Sequence, residues 1–286
     1  MITRRRALVG LAGLTMPALT GCGGRQQAAS RPPGYADYYP PGVPAEPSSQ
    51  TARAGLDAVI DISHNVVVSD FTAVRRKSNI IGVLHKATEG GDWVDPSYGP
   101  RRPQAEAAGL LWGAYHFGTR QHSGVQQAKV FLAAAQPGPS TLIALDFEPN
   151  DPNPRNSMTL AQAEAFVQTV YQATGRMPLL YTRPAFADGK PSGRGRVALR
   201  EPITQRSILA RCDLWLADYR EEPELPTAWA DRGWRLWQYA GDDSEDKAAY
   251  GSVPRSVVGV SHCDRNVFAG DSTALYRFWR GGGRAV

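Results

Sequence analysis

Thr141-Leu142-Ile143-Ala144-Leu145-Asp146-Phe147-Glu148 is a nearly unbroken apolar run that ends on two acids. A strand apolar on both sides fits a parallel sheet covered on both faces, not one with a wet side. Runs of the same texture flank it: Leu56–Ile62, Asn79–His85 and Leu110–Phe117 before it, Pro178–Thr182 after it. Helical patterns lie between these runs. The clearest is Met158–Thr174, where Thr159 and Gln162 are spaced as a capping box and Gly175 supplies the stop. Gln121–Ala135 and Arg101–Ala108 are also predicted helices, and Ile203–Arg211 is a shorter candidate. Beyond residue 212 the runs Leu214–Tyr219, Arg235–Tyr239 and Val257–Asp264 read as strands, but Gly, Pro, Asp and Ser dominate the intervals. Eight strands, with helices after about the first five, predict an α/β fold: a modified TIM-type barrel over residues 55–280.

Polar groups recur where these strands end. Asp61 closes the first run, and His85, Lys86 and Glu89 follow the second. Tyr115 and His116 end the third, Asp146 and Glu148 the fourth, Tyr181 the fifth. Asp218 and Tyr219, then Gln238 and Tyr239, then Asp264 end the last three. In a parallel barrel those ends share one rim, where catalytic groups collect. Core packing explains the pattern poorly, because such groups are costly to bury without partners. Along a strand, side chains at i and i+2 point the same way, so Asp146 and Glu148 share one small volume while Phe147 faces the opposite side. Two carboxyls that close split their proton affinities into an acid and an anion, which is what glycosidic hydrolysis needs. Asp-x-Glu alone suits a divalent-metal ligand pair or a surface turn equally well. Its place after a buried strand, with Asp61 and Asp264 on the same rim, favours the catalytic reading.

The N-terminus carries an address. Thr3-Arg4-Arg5-Arg6 precedes the apolar run Ala7–Leu19, which ends in Leu19-Thr20-Gly21-Cys22. The run falls short of the ~20 apolar residues a spanning helix needs, and its layout is that of a secretory signal over residues 1–21. Leu-Thr-Gly-Cys resembles a bacterial lipobox, which would make Cys22 a lipid anchor; Thr-Arg-Arg-x-x-Leu resembles a twin-arginine signal. Residues 22–54 contain Pro32, Pro33, Pro40, Pro41, Pro44 and Pro47 and read as a semi-rigid tether. An exported, membrane-anchored lipoprotein of the periplasm or cell surface is expected.

This address also disposes of the charge. The 286 residues hold 32 Lys plus Arg against 27 Asp plus Glu, a net +5. Arg4, Arg5 and Arg6 account for three of the five, and Arg25, Arg31 and Arg53 outnumber Asp37 and Glu46 by one in the tether. The domain itself is left near +1, so a nucleic-acid partner is not indicated. The five histidines and three cysteines form no His-x-x-x-His or Cys-x-x-Cys pair, so neither metal nor cofactor is expected. Export permits a disulfide, and whether Cys212 and Cys263 pair is left open. His64, His85 and His116 fit either rim hydrogen bonds or satisfied packing. The glycine-rich, basic insert Asp188–Arg200 reads as a solvated loop beside the rim.

Seven blocks carry a family resemblance. They are Asp61-Ile62-Ser63-His64; Gly82 to Gly90 with Asp95 and Tyr98; Gly109 to Phe117; Leu145-Asp146-Phe147-Glu148; Leu214-Trp215-Leu216-Ala217 with Tyr219; Leu236-Trp237-Gln238-Tyr239; and Asp264-Arg265-Asn266 with Phe268. In this order, over about residues 55–270, the chain resembles glycoside hydrolase family 25, the Chalaropsis-type lysozymes or N-acetylmuramidases. The resemblance implies five β/α units closed by three further strands. It also implies cleavage of the β-1,4 bond between N-acetylmuramic acid and N-acetylglucosamine in peptidoglycan. Glu148 matches the general acid and Asp146 its partner carboxylate, which orients the substrate's 2-acetamido group as nucleophile. Asp61 and Asp264 match the remaining acids of the cleft. Tyr115, Tyr181, Trp215, Tyr219 and Gln238 become candidates for the sugar-facing wall. A monomer acting on peptidoglycan is implied; a non-catalytic, membrane-anchored binder of wall glycan is the alternative, and a different glycan substrate a third. One departure stands out: where the family has a Gly-containing turn and a Trp after its first strand, this chain has Asn65-Val66-Val67-Val68 leading to Asp70-Phe71.

Overall fold

The computed structural model describes residues 55–241 and 256–281. The signal, Cys22 and the tether lie outside the described residues. Nine strands are described: β1 (Leu56–Ile62), β2 (Gly82–Glu89), the two-residue β3 (Trp93–Val94), β4 (Leu111–Phe117), β5 (Leu142–Asp146), β6 (Leu179–Thr182), β7 (Leu214–Ala217), β8 (Leu236–Ala240) and β9 (Asp264–Phe268). All except β3 form a closed ring in the order β1-β2-β4-β5-β6-β7-β8-β9, and β9 returns to β1. Each neighbouring pair from β1 to β8 is parallel, whereas β9 is antiparallel to both β8 and β1.

The expected barrel is therefore present, with two corrections. The last strand is Asp264–Phe268 and not Val257–Asp264, and it runs against the others. Because it is reversed, its first residue stands where the other strands have their last ones, and Asp264 pairs in register with Asp61. Asp264 reaches the predicted rim by the opposite end of a different strand. The misreading has a physical cause. Asp264-Arg265-Asn266 looks too polar for a core strand, but Asp264 and Asn266 face the polar barrel mouth. Arg265, 1% exposed, is held behind the sheet by Asp57 at 2.8 Å, and Asp57 also accepts from the Tyr239 hydroxyl at 2.6 Å.

Helices α1 (Phe71–Lys77), α2 (Tyr98–Ala107), α3 (Gly124–Ala135) and α4 (Leu160–Thr174) follow the early strands, and a single turn, α5 (Pro184–Ala187), follows β6. The interval expected to be helical at Ile203–Arg211 holds only a 3-10 turn at Ile208–Arg211. Side-chain caps begin three of these five helices: Asp70, Ser123 and Thr159 each accept an amide two or three residues on. Thr159 and Gln162 form the full capping box, and Gly175, at φ 67°, ends α4 in the left-handed region that glycine adopts without strain. Asp70-Phe71, where the first loop departs from the family, serves folding: Asp70 caps α1 and Phe71 packs edge-on against Trp112.

The pleat sorts each strand. Along β5, Leu142 and Ala144 belong to the barrel interior, and Ile143 and Leu145 to the layer between sheet and helices, which Phe147 continues. Beyond β9 an amphipathic helix, α6 (Ser272–Arg280), carries Leu275, Phe278 and Trp279 into the interior cluster. Trp279 lies against Gly82 and Gly113, so α6 closes the end of the barrel where the parallel strands begin. The other end stays open. Cys212 is buried, and no disulfide joins it to Cys263.

Candidate active site

At the open rim the two carboxyls of the opening stretch come together. Asp146 is the last residue of β5, and Glu148 lies two residues beyond, on the same side. Burial, reinforced by the neighbouring Glu148, pushes the Asp146 carboxyl well above the usual carboxylate range; Lys86 on β2 and Arg183 oppose this. Burial likewise pushes Glu148 up, to about 7, against the pull of Arg183. A group with that affinity is protonated in an appreciable fraction at neutral pH and can give its proton away. Asp146 Oδ1 is buried with no hydrogen-bond partner among the described residues, whereas Glu148 Oε2 faces Arg183 Nε at 2.6 Å. Unsatisfied buried oxygens are expensive, and sites that later receive a ligand are where folds tolerate them.

Asp61 sits across the mouth in a network of amides. Gln238 Nε2 donates to both Asp61 oxygens at 3.1 and 3.0 Å and to Asp264 Oδ2 at 3.3 Å. Asn266 Nδ2 donates to Asp61 Oδ2 at 2.8 Å, and the Trp215 indole donates to Asn266 Oδ1 at 2.6 Å. Gln238 Oε1 accepts the hydroxyls of Tyr181 and Tyr219, each at 2.9 Å. The amides of Gln238 and Asn266 both turn their donors to Asp61, so Asp61 is held as an oriented acceptor.

The wall candidates divide accordingly. Tyr115 is partly exposed and meets Trp215 edge-on. Tyr219 is 46% exposed and lines the open cleft. Tyr181 and Gln238 are buried beneath it and act through hydrogen bonds, and Trp215, at 1% exposure, does not reach the cleft surface. His85 and His116 point away from the mouth. His116 bonds Thr88 and Gln127 at 2.8 and 3.0 Å and stacks on Phe166, and burial pushes its ring down to about 3. His64 does bond a carboxylate, Asp95, at 3.1 Å. Among the described residues no group of three or more His, Cys, Asp or Glu is arranged to hold a metal ion.

Arg183 and Asp151, which the sequence did not mark, belong to the site, as does Asn266 of the last family block. Arg183 follows β6 by one residue and bridges Glu148 to Asp151. Its signal was its position, a rim residue like the others, but a cation among acids. The cleft above them holds about 1280 Å³ and is lined by Arg183, Asp151, Tyr219 and Asp264 together with Ser192, Gly193 and Arg194 of the basic insert. Most of that insert is exposed, as a solvated loop would be, and a single bridge between Ser192 and Val197 closes a short hairpin turn within it.

A closed β/α barrel with a buried carboxyl pair and two further acids at its mouth has the arrangement of a barrel glycoside hydrolase. Residues 60–247 match the family model for glycosyl hydrolases family 25, and the chain belongs to that family. A curated relative, the N,O-diacetylmuramidase of Chalaropsis sp, is 31% identical over 117 residues, which cover 36% of this chain and 56% of that protein. The match thus spans little more than half of the relative's length. Among solved structures, a muramidase from Acremonium alcalophilum superposes with a TM-score of 0.58 at 27% identity, over 78% of this chain and 98% of that one. The bacterial lysozyme of Streptomyces coelicolor gives 0.62 at 24% identity, over 81% and 99%, and shares the fold.

Proposed function

We propose that this chain hydrolyses the β-1,4 bond between N-acetylmuramic acid and N-acetylglucosamine in peptidoglycan. The buried Asp146–Glu148 pair at the mouth of a barrel of this family supports the reading most directly. Glu148 gives its proton to the glycosidic oxygen as the bond breaks. Asp146, once ionised, orients the 2-acetamido group, whose carbonyl oxygen attacks the anomeric carbon; water then opens the cyclic intermediate with Glu148 as base. Asp61 and Asp264 bind the sugar and steady the charge around the pair. Tyr115 and Tyr219 offer aromatic faces to the sugar, while Tyr181, Gln238 and Trp215 hold Asp61 from below. Mass analysis of digested peptidoglycan tests the reaction: new reducing ends are expected on muramic acid, and reducing ends on N-acetylglucosamine would overturn the bond assignment.

The protein is exported to its substrate, in this reading, and acts as a monomer on a tether. Cys22 carries the lipid, and residues 23–54 hold the barrel off the membrane. Replacing Cys22 by Ser is expected to move the protein from the membrane fraction to the soluble one. Continued membrane recovery of that variant would reject the lipid anchor.

A further inference from the structure

Arg183, one residue beyond β6, sits between two carboxylates of the loop that follows β5, Glu148 and Asp151. Its Nε lies 2.6 Å from Glu148 Oε2, and its Nη1 lies 3.3 Å from Asp151 Oδ2. The other oxygen of Asp151 accepts the backbone amide of Arg194 at 2.8 Å. Gly193, at φ +70°, packs so closely against Asp151 that a Cβ there would clash with Asp151 Oδ1. Gly195 in turn abuts Pro154. One carboxylate therefore fastens the basic hairpin with one oxygen and the arginine on the acid with the other. Arg183 is itself set by the fold, since it is the residue before Pro184, held extended at φ −94° and ψ 144° at the start of α5.

We infer that Arg183 is the positioning residue that governs when Glu148 carries its proton, and that Asp151 and the insert hairpin fix how much of the Arg183 charge Glu148 receives. The inference rests on Glu148 being the general acid. The groups facing Glu148 are Arg183, Asp151, Asp61 and Asp146, with the phenols of Tyr181 and Tyr219. Of these, Arg183 alone is cationic; Lys86 bears on Asp146 from the other side. An opposite charge in contact stabilises the ionised carboxylate, by about 1–3 pH units where the pair is well formed. A neutral side chain at Arg183 thus lets Glu148 keep its proton to higher pH. A neutral side chain at Asp151 acts in reverse, because it removes a nearby anion and releases Arg183 wholly to Glu148.

The test is the pH dependence of kcat/KM on purified peptidoglycan, whose basic limb reports the free enzyme's essential acid. Arg183→Gln is expected to move that limb upward by about one pH unit. Asp151→Asn is expected to move it downward. A residue that merely holds the structure would lower the rate at every pH and leave the limb in place. Limbs that stay put, or that both move the same way, overturn the inference. Should Arg183→Gln fail to fold, the direction of the Asp151→Asn limb decides alone. The inactive control Glu148→Gln separates the two levels: with that variant inactive and the limbs unmoved, only the role of Arg183 falls. An active Glu148→Gln overturns both.

Discussion

Glu148→Gln is expected to lower the turnover of peptidoglycan by at least about a hundredfold, and the folded barrel to survive unchanged. The magnitude follows from the role. A positioned general acid contributes roughly 10²–10⁴-fold, and a primary amide has no proton of comparable acidity to give. The site around Glu148 offers no ready substitute. Asp146, two residues away, orients the 2-acetamido group in the proposed mechanism, and Asp61 is held as an acceptor by Gln238 and Asn266. The amide fits the cavity of the acid, and its carbonyl oxygen can still accept from Arg183. Binding should therefore change little, and the loss should appear in kcat and not in KM. Turbidity loss of purified peptidoglycan, followed beside a sedimentation assay of binding, measures both. Rates equal to wild type would remove Glu148 from the mechanism; a wild type with binding but no turnover would favour the glycan-binding alternative.

The same substitution has a stability consequence with a fixed sign. Glu148 is raised from 4.5 to about 7 in the folded protein. A carboxyl raised by folding favours the native state below its unfolded value and disfavours it progressively as pH rises toward the folded value. The wild type therefore loses up to about 3 kcal/mol between pH 4.5 and 7 on account of this one group. Glu148→Gln titrates nowhere in that range, so its Tm should fall less than that of the wild type over the same interval. Acid groups kept for chemistry cost stability at the pH where they work, and the unpartnered oxygen of Asp146 is one structural form of that cost.

How much of this was written legibly in the chain depends on which face a residue turns. The β5 run could be read because both of its faces are apolar until Asp146, and the helix Leu160–Thr174 because its cap and stop are local chemistry. β9 could not, because its inward face is the polar floor of the site and its outward face buries Arg265 against Asp57; periodicity scores both as solvent. Reading acids at strand ends reached Asp61, Asp146, Glu148 and Asp264. Arg183 lies beyond the Pro178–Thr182 run, and Asn266 falls past the expected strand Val257–Asp264, so neither stands at a strand end that the apolar pattern marks. Trp215 and Tyr181 were reached for a partial reason: their rings lie too deep to wall the sugar, yet each bonds a residue that holds Asp61.

Trp279→Ala is expected to destabilise the barrel by about 3–5 kcal/mol, the range for removing a large aromatic from a packed core. No part of the α6 contribution is visible in the strand pattern, but the geometry makes it large. Trp279 is fully buried, and its indole donates to the carbonyl of Trp112 at 2.8 Å. Its ring occupies the space that Gly82 and Gly113 leave by having no side chain: a Cβ would stand 2.8 Å from the ring at Gly82 and 3.2 Å at Gly113. Both glycines lie in strands that close the ring, so the hole left by alanine has rigid walls and cannot collapse. Trp279→Phe keeps most of the ring and should lose less than half as much, the remainder reflecting the lost hydrogen bond and the smaller volume. Urea unfolding of the three proteins measures the series. Activity measured well below the lowered Tm should remain near wild type in Trp279→Ala, because α6 fills the end of the barrel opposite Asp146 and Glu148. A loss under 1 kcal/mol would mean that α6 is an attachment; a loss of several, with activity kept, makes it the plug on which the open mouth depends.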